Sequence, residues 1–289
     1  MADSMLQTLD HVVIAARDLA AASRDYARLL ARPLAWRGRH PGLGTANALF
    51  RLDNTYLELL APVGEGPVAE RVERRLAGEG EGLFALALGT DDASECAELL
   101  RRRGLPAGDP VDGGGREETT GRERRWRNVF VPSDATRGVW LFAIQHLSPA
   151  DRLPAGEPSA GRDAVARALD HVVVTTSDPD DAIVLYRDRL GLRLALDRRF
   201  EQRGVRLVFF RLGGVTVELA AGLTGSAAGG PDRLWGLAYR VADVDAARRR
   251  LAEDGFDVSG VRAGNKPGTR VCTVRNRTCG VATLLIGPG

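Results

Sequence analysis

Residues 9–16 read LDHVVIAA, a run in which His11, Val13 and Ala15 fall on one side of an extended strand while Val12 and Ile14 fall on the other. The period then changes. Leu19, Ala22, Tyr26, Leu29 and Leu30 recur at helical spacing, and Asp18 stands where its carboxylate can accept the free amides of a first turn. Three short extended stretches follow at 34–39, 45–52 and 55–61. The order is strand, helix, strand, strand, strand.

That order recurs along the chain. A strand at 83–88 leads to a helix at 92–103 ended by Gly104, then to strands at 124–131 and 138–145. A third unit occupies 169–220. A fourth has a strand at 234–241, a helix at 244–254 ended by Gly255, and strands at 269–275 and 281–286. Gly113-Gly114-Gly115 lacks the strand-then-helix setting of a phosphate loop and reads as a flexible loop.

The first and third units share more than element order. LDHVV at 9–13 returns at 169–173, and the same offset of 160 residues joins Asp18 to Asp178, Tyr26 to Tyr186 and Glu58 to Glu218. An offset held over about fifty residues without a gap implies duplicated structure. Residues 148–161, SPADRLPAGEPSAG, have the composition of a linker. The chain therefore reads as an α+β protein of four βαβββ modules in two domains, 1–147 and 167–289, joined by a linker at 148–166.

Charge and cysteine content narrow the class of partner. Forty basic residues against 38 acidic ones leave a net charge of +2, too little to attract nucleic acid or a membrane surface. Cys96, Cys272 and Cys279 have no metal-site spacing and read as reduced thiols. The first residues show no signal peptide, and no run reaches the roughly twenty apolar residues of a membrane span. These features lead us to expect a cytoplasmic protein, monomer or homodimer, whose partner is a small molecule.

LDHVV, then a helix, then a strand ending in YLEL or VEL, resembles the vicinal oxygen chelate superfamily, which includes glyoxalase I, extradiol dioxygenases and bleomycin- and fosfomycin-resistance proteins. RHPG at 39–42, GTANA at 44–48 and YLEL at 56–59 are similar to a glyoxalase-like subgroup. The resemblance implies that modules pair into half-open barrels, one per domain. In metal-dependent relatives each module gives one ligand from its first strand and one from its last. Here that points to His11 and Glu58, and in the second copy to His171 and Glu218. The other modules depart from the pattern, with Phe84 and Phe142 at the expected positions of the second and Gly236 and Leu284 at those of the fourth. A zinc site needs about three protein ligands. The expectation is therefore no tightly bound cofactor, with a divalent metal on His11 and Glu58 as the alternative.

A glutamate set in apolar sequence is costly to bury alone, and His11 is its natural partner for Glu58. His40 is either an acid or base with a near-neutral pKa or a turn residue before Pro41-Gly42. Asn47 shares a face with Thr45, Leu49 and Arg51 and binds either a ligand or a neighbouring strand. Arg124, Trp126 and Asn128 share another face. If that face is concave, Phe84, Trp126 and Phe142 form an aromatic wall and Arg124 awaits a carboxylate or phosphate; otherwise the arginines are exposed stems. Arg206, Val208 and Phe210 pose the same choice. His146, where the last strand meets the linker, reads as solvated.

The expected activity is that of a lyase or isomerase acting on an oxygen-rich metabolite in the N-terminal cleft. Glu58 or His40 would do the acid–base work, or a metal would chelate vicinal oxygens. His171 and Glu218 form a second site or scaffold. The rival is a protein that sequesters an antibiotic or metabolite without turnover. An extradiol dioxygenase ranks last, because it needs two His and one Glu around one iron.

Overall fold

Aspartates start the helices. Asp18 accepts from the amides of Ala20 and Ala21, Asp92 and Asp243 cap two later helices in the same way, and Asp178 caps another through the Asp181 amide. In the computed structural model, which describes residues 5–154, 156–159, 161, 163–223 and 230–289, each capped helix follows the first strand of a module. The first module is β1 (Thr8–Ala15), α1 (Leu19–Leu30), β2 (Trp36–His40), β3 (Thr45–Arg51) and β4 (Tyr56–Pro62). An additional helix, α2 (Pro67–Gly78), precedes the second module, which is β5 (Gly82–Gly89), α3 (Ala93–Arg102), β6 (Val111–Glu117), β7 (Glu123–Phe130) and β8 (Trp140–His146).

The third module comprises β9 (Ala168–Thr175), α4 (Pro179–Ile183), β10 (Arg193–Phe200), β11 (Val205–Leu212) and β12 (Val215–Gly222). A π-helical stretch, Val184–Arg189, continues α4. The fourth comprises β13 (Arg233–Arg240), α5 (Val244–Glu253), β14 (Arg262–Ala263), β15 (Thr269–Val274) and β16 (Ala282–Pro288). No helix among the described residues is long and apolar enough to cross a membrane.

The two sheets close differently. The first eight strands form a closed barrel in the order β1-β4-β3-β2-β6-β7-β8-β5, whereas the second eight form an open sheet, β10-β11-β12-β9-β13-β16-β15-β14. The expected half-open barrel is thus met only in the second copy. Closure in the first depends on β6, whose Arg116 and Glu117 pair with Arg39 and Gly38 of β2. Gly113 to Gly115 lie within β6 instead of a flexible loop. The role of Gly113 is steric: a Cβ there would sit 2.3 Å from Nε1 of Trp126. In the second copy the matching strand, β14, is two residues long and stays apart from β10.

Apolar residues divide between two sides of the barrel wall. Leu9, Val12 and Ile14 face the helices and pack with Tyr26, Leu29 and Leu30, while Val13 and Ala15 face the interior. Helix α2 gave little sequence signal, because only Ala69, Val72 and Leu76 of its twelve residues are buried. Val72 and Leu76 cover the interior residues Val13, Ala15 and Leu60. The Arg206, Val208 and Phe210 face also turns toward the helices; Val208 and Phe210 are fully buried there and Arg206 pairs with Asp197 and Asp180.

The halves are joined by polar contacts. The Tyr26 hydroxyl donates to the Thr278 carbonyl at 2.9 Å, and Arg32 Nε donates to the Ala166 carbonyl at 2.8 Å. Arg137 pairs at 3.0 Å with Asp232, whose side chain is fully buried.

Candidate functional site

Strand parity brings the candidate residues together. β1 and β4 run parallel with Val13 beside Glu58 and His11 beside Tyr56, so His11, Tyr56 and Glu58 all point into the barrel. β3 adds Asn47, which lies opposite Leu60, and the end of β2 adds His40. The result is a polar cluster in an apolar cavity. His11 Nε2 lies 3.3 Å from Glu58 Oε2, and His40 Nε2 lies 3.8 Å from Glu58 Oε1. Asn47 Nδ2 donates to Glu58 Oε1 at 2.8 Å and lies 3.1 Å from His40 Nε2, while His40 Nδ1 is 2.9 Å from the Thr45 hydroxyl.

A carboxylate needs donors, so Asn47 presents its amide nitrogen to Glu58. The same nitrogen beside His40 Nε2 makes that atom an acceptor, which leaves the proton on Nδ1 facing Thr45.

Two residues outside the sequence-derived set extend this cluster to the surface. Asp10 bonds His11 Nδ1 at 2.7 Å through one oxygen and His146 Nε2 at 2.9 Å through the other. His146 remains exposed, in keeping with its reading as solvated, and through Asp10 it joins the buried cluster to the surface. The register of β1 against β5 slips between Leu9 and His11, so Asp10 occupies a bulge and escapes the alternation that would aim it away from His11.

The two histidines are driven apart electrostatically. Burial opposes charge on His11, but hydrogen bonds to Asp10 and Glu58 and their charges outweigh it and raise its pKa to about 9. Burial also opposes charge on Glu58, yet the His11 bond and the His11 charge dominate and lower its pKa to about 2. At His40, burial leads, aided by His11 and Arg124, and lowers the pKa despite Glu58. Near neutral pH the cavity thus holds a protonated His11, an anionic Glu58 and a neutral His40.

Aromatic rings build the rest of the wall. Tyr56 stacks on His11 at 4.5 Å between ring centroids, Phe142 meets His11 edge-on at 5.8 Å, and Trp126 meets His40 edge-on at 5.8 Å. Arg124, Trp126 and Asn128 of β7 all line the cavity. Arg124 is buried, with its guanidinium carbon 5.6 Å from the ring centres of both Trp36 and Tyr56. Phe84 does not line this space. The β1–β5 register slips between Val13 and Ile14, so Phe84 is bulged and packs edge-on against Trp140 at 4.9 Å, behind the wall. Ala85, which pairs with Trp140 as His11 pairs with Tyr56, takes the position expected for Phe84.

The second copy keeps the frame and loses most of the cluster. His171 bonds Asp170 at 2.9 Å, and its Nε2 is 3.9 Å from Glu218. Burial pushes the Glu218 carboxyl upward. At the fixed offset, Phe200, Leu207 and Thr216 stand where the first copy has His40, Asn47 and Tyr56.

The donor set does not fit a resident divalent metal. His11 and Glu58 are directed at each other, both ring nitrogens of His40 are engaged by Thr45 and Asn47, and the facing module offers Ala85 and Phe142. Among the described residues no three His, Cys, Asp or Glu side chains are arranged to hold an ion.

Comparison with known proteins adds to this geometry. Residues 9–165 match the family described as Glyoxalase-like domain, and residues 170–273 match the Glyoxalase/Bleomycin resistance protein/Dioxygenase superfamily. An ethylmalonyl-CoA/methylmalonyl-CoA epimerase from Cereibacter sphaeroides is 33% identical over 113 residues, covering 38% of this chain and 82% of that protein. Among solved structures, a mutant of 4-hydroxymandelate synthase from Streptomyces coelicolor superposes with a TM-score of 0.69 at 18% identity, covering 98% of this chain and 93% of that one. A hypothetical protein from Staphylococcus aureus does so with a TM-score of 0.64 at 12% identity, covering 96% and 97%. At these identities the two structures establish the shared fold alone.

Proposed function

The chain belongs to the glyoxalase-like proteins of the vicinal oxygen chelate superfamily, and on that footing we propose that it is an isomerase or lyase that moves a proton within a small oxygen-rich molecule held inside the first barrel. One observation carries this reading: Glu58 stands between a histidine kept protonated and a histidine kept neutral. Environments that push two pKa values apart divide acid from base.

In this scheme the Nε2–H of His11 donates to a substrate carbonyl oxygen. Substrate takes the place of the Asn47 amide hydrogen at His40 Nε2, whose lone pair then takes a proton from the adjacent carbon. The electron pair of the broken C–H bond forms a C=C bond as the carbonyl π pair moves onto the oxygen to give an enolate. Return of the proton to carbon gives an isomer; departure of a leaving group from the next carbon gives elimination. Glu58 holds the positive charge of His11 in place and aligns both rings. Positioned acid–base groups contribute roughly 10² to 10⁴ in rate. Similarity to an epimerase, whose name denotes inversion at one carbon, supports proton removal and return.

A second reading, sequestration without turnover, draws on the aromatic wall and on Ala85 and Phe142 in the facing module. Deuterium incorporation separates the two. Small 2-oxo and 2-hydroxy acids and aldehydes incubated with the protein in D₂O should exchange a carbon-bound proton, and exchange should persist after chelation. His40→Gln should slow it about a hundredfold. Compounds that bind yet show no exchange would establish the sequestering protein instead.

A further inference from the structure

We infer that the ligand of the first barrel is a hydroxyl-bearing monocarboxylate with an aromatic or apolar body, its carboxylate held by Arg124. This rests on the reading of the barrel as the substrate site and names the class of molecule it takes. Arg124 is buried and lines the cavity, yet no carboxylate among the described residues lies within ion-pair distance of it. Its neighbours are the rings of Trp36 and Tyr56. The interior carboxylate, Glu58, is taken by His11, His40 and Asn47. A buried cation without an anion is expensive, and aromatic faces offset only part of that cost. A guanidinium hydrogen-bonded to Tyr56 but to no carboxylate calls for one, and its fork matches that group.

A second, independent feature sets the other end of the ligand. The side-chain oxygens of Asn47 and Asn128 are buried on the cavity wall and accept no hydrogen bond. Asn47 cannot be turned to relieve this, because its amide nitrogen serves the Glu58 carboxylate. Unmet acceptors require donors from the ligand, and a hydroxyl supplies one. Trp126 and Phe142 leave the remaining wall apolar.

Titration of the intact protein with phenyllactate, phenylpropionate and phenylpropanediol tests this, with dissociation constants read from tryptophan fluorescence. Phenyllactate should bind tightest. Replacing its carboxylate by the carbinol of the diol should weaken binding at least about tenfold, and removing its hydroxyl should weaken it by about threefold or more. Arg124→Met should erase the advantage of the acids over the diol. The native series stands even if that variant folds poorly. Equal binding of diol and acid, failure of both acids to bind, or retention of the acid advantage in Arg124→Met would overturn the inference. Deuterium exchange measured on 2-oxo acids and aldehydes reports separately on proton transfer: binding of phenyllactate as predicted with no exchange in any of these compounds refutes the proposed reaction and leaves the ligand class standing.

Discussion

Burial alone would neutralise both His11 and Glu58; their contact with each other, with Asp10 at His11 and with Asn47 at Glu58 keeps both charged. The pairing makes stability depend on pH in a stated direction. His11 has a folded pKa raised from 6.5 to about 9, so its contribution is complete below pH 6.5 and is lost as pH rises through about 9. Glu58 has a folded pKa lowered from 4.5 to about 2, so its contribution is complete above pH 4.5 and is lost as pH falls through about 2. Urea unfolding midpoints should therefore be highest between pH 4.5 and 6.5 and decline above that window. His11→Gln should flatten the alkaline decline; an unchanged slope in that variant would contradict the pairing.

Strand parity and apolar setting pointed to His11 and Glu58, and left His40 and Asn47 each between a role in the site and a structural one. They did not show Asp10 and His146, because their roles depend on a bulge and on a contact between residues 136 positions apart.

Among the elements, the same limit explains what was missed. Alternation predicts which face a residue takes only while the ladder is regular. Asp10, Phe84, Asp170 and Trp235 all sit where the register of paired strands slips. Phe84 is consequently behind the cavity wall, and Trp235 is exposed. β6 escaped notice because three successive glycines carry no apolar pattern, although Gly113 and Gly115 are what let the Trp126 ring lie against the strand. Two neighbouring substitutions separate this role from general strand propensity. Gly113→Ala puts a Cβ 2.3 Å from Trp126 Nε1 and should cost about 1–3 kcal/mol. Gly114→Ala meets only the Arg124 carbonyl oxygen at 3.5 Å and should stay within about 0.5 kcal/mol of the parent. Equal losses in urea unfolding would show that close approach to Trp126 is not the reason for glycine.

Across the whole molecule, duplication was legible and divergence was not. The 160-residue offset marks equivalent strands, His11 and His171 beside β4 and β12, Glu58 and Glu218 beside β1 and β9. Closure of one sheet and opening of the other follow from the lengths of β6 and β14, a difference held in irregular segments that pattern alone does not resolve. The asymmetry between the two sites follows from that geometry together with the loss of His40, Asn47 and Tyr56 equivalents in the second copy. Closing the first barrel removes His11, Glu58 and His40 from water; burial opposes charge on both histidines, and the bonds of His11 to Asp10 and Glu58 are what separate them.

That separation can be observed directly, since the chain contains only four histidines. Long-range ¹H–¹⁵N spectra of the imidazoles, assigned with His11→Gln and His40→Gln, should show at pH 7 a His11 ring protonated on both nitrogens and remaining so until pH approaches about 9. In the same spectra His40 should be neutral with its proton on Nδ1. A neutral His11 at pH 7, or two rings titrating together, would contradict the division into acid and base on which the proposed activity rests.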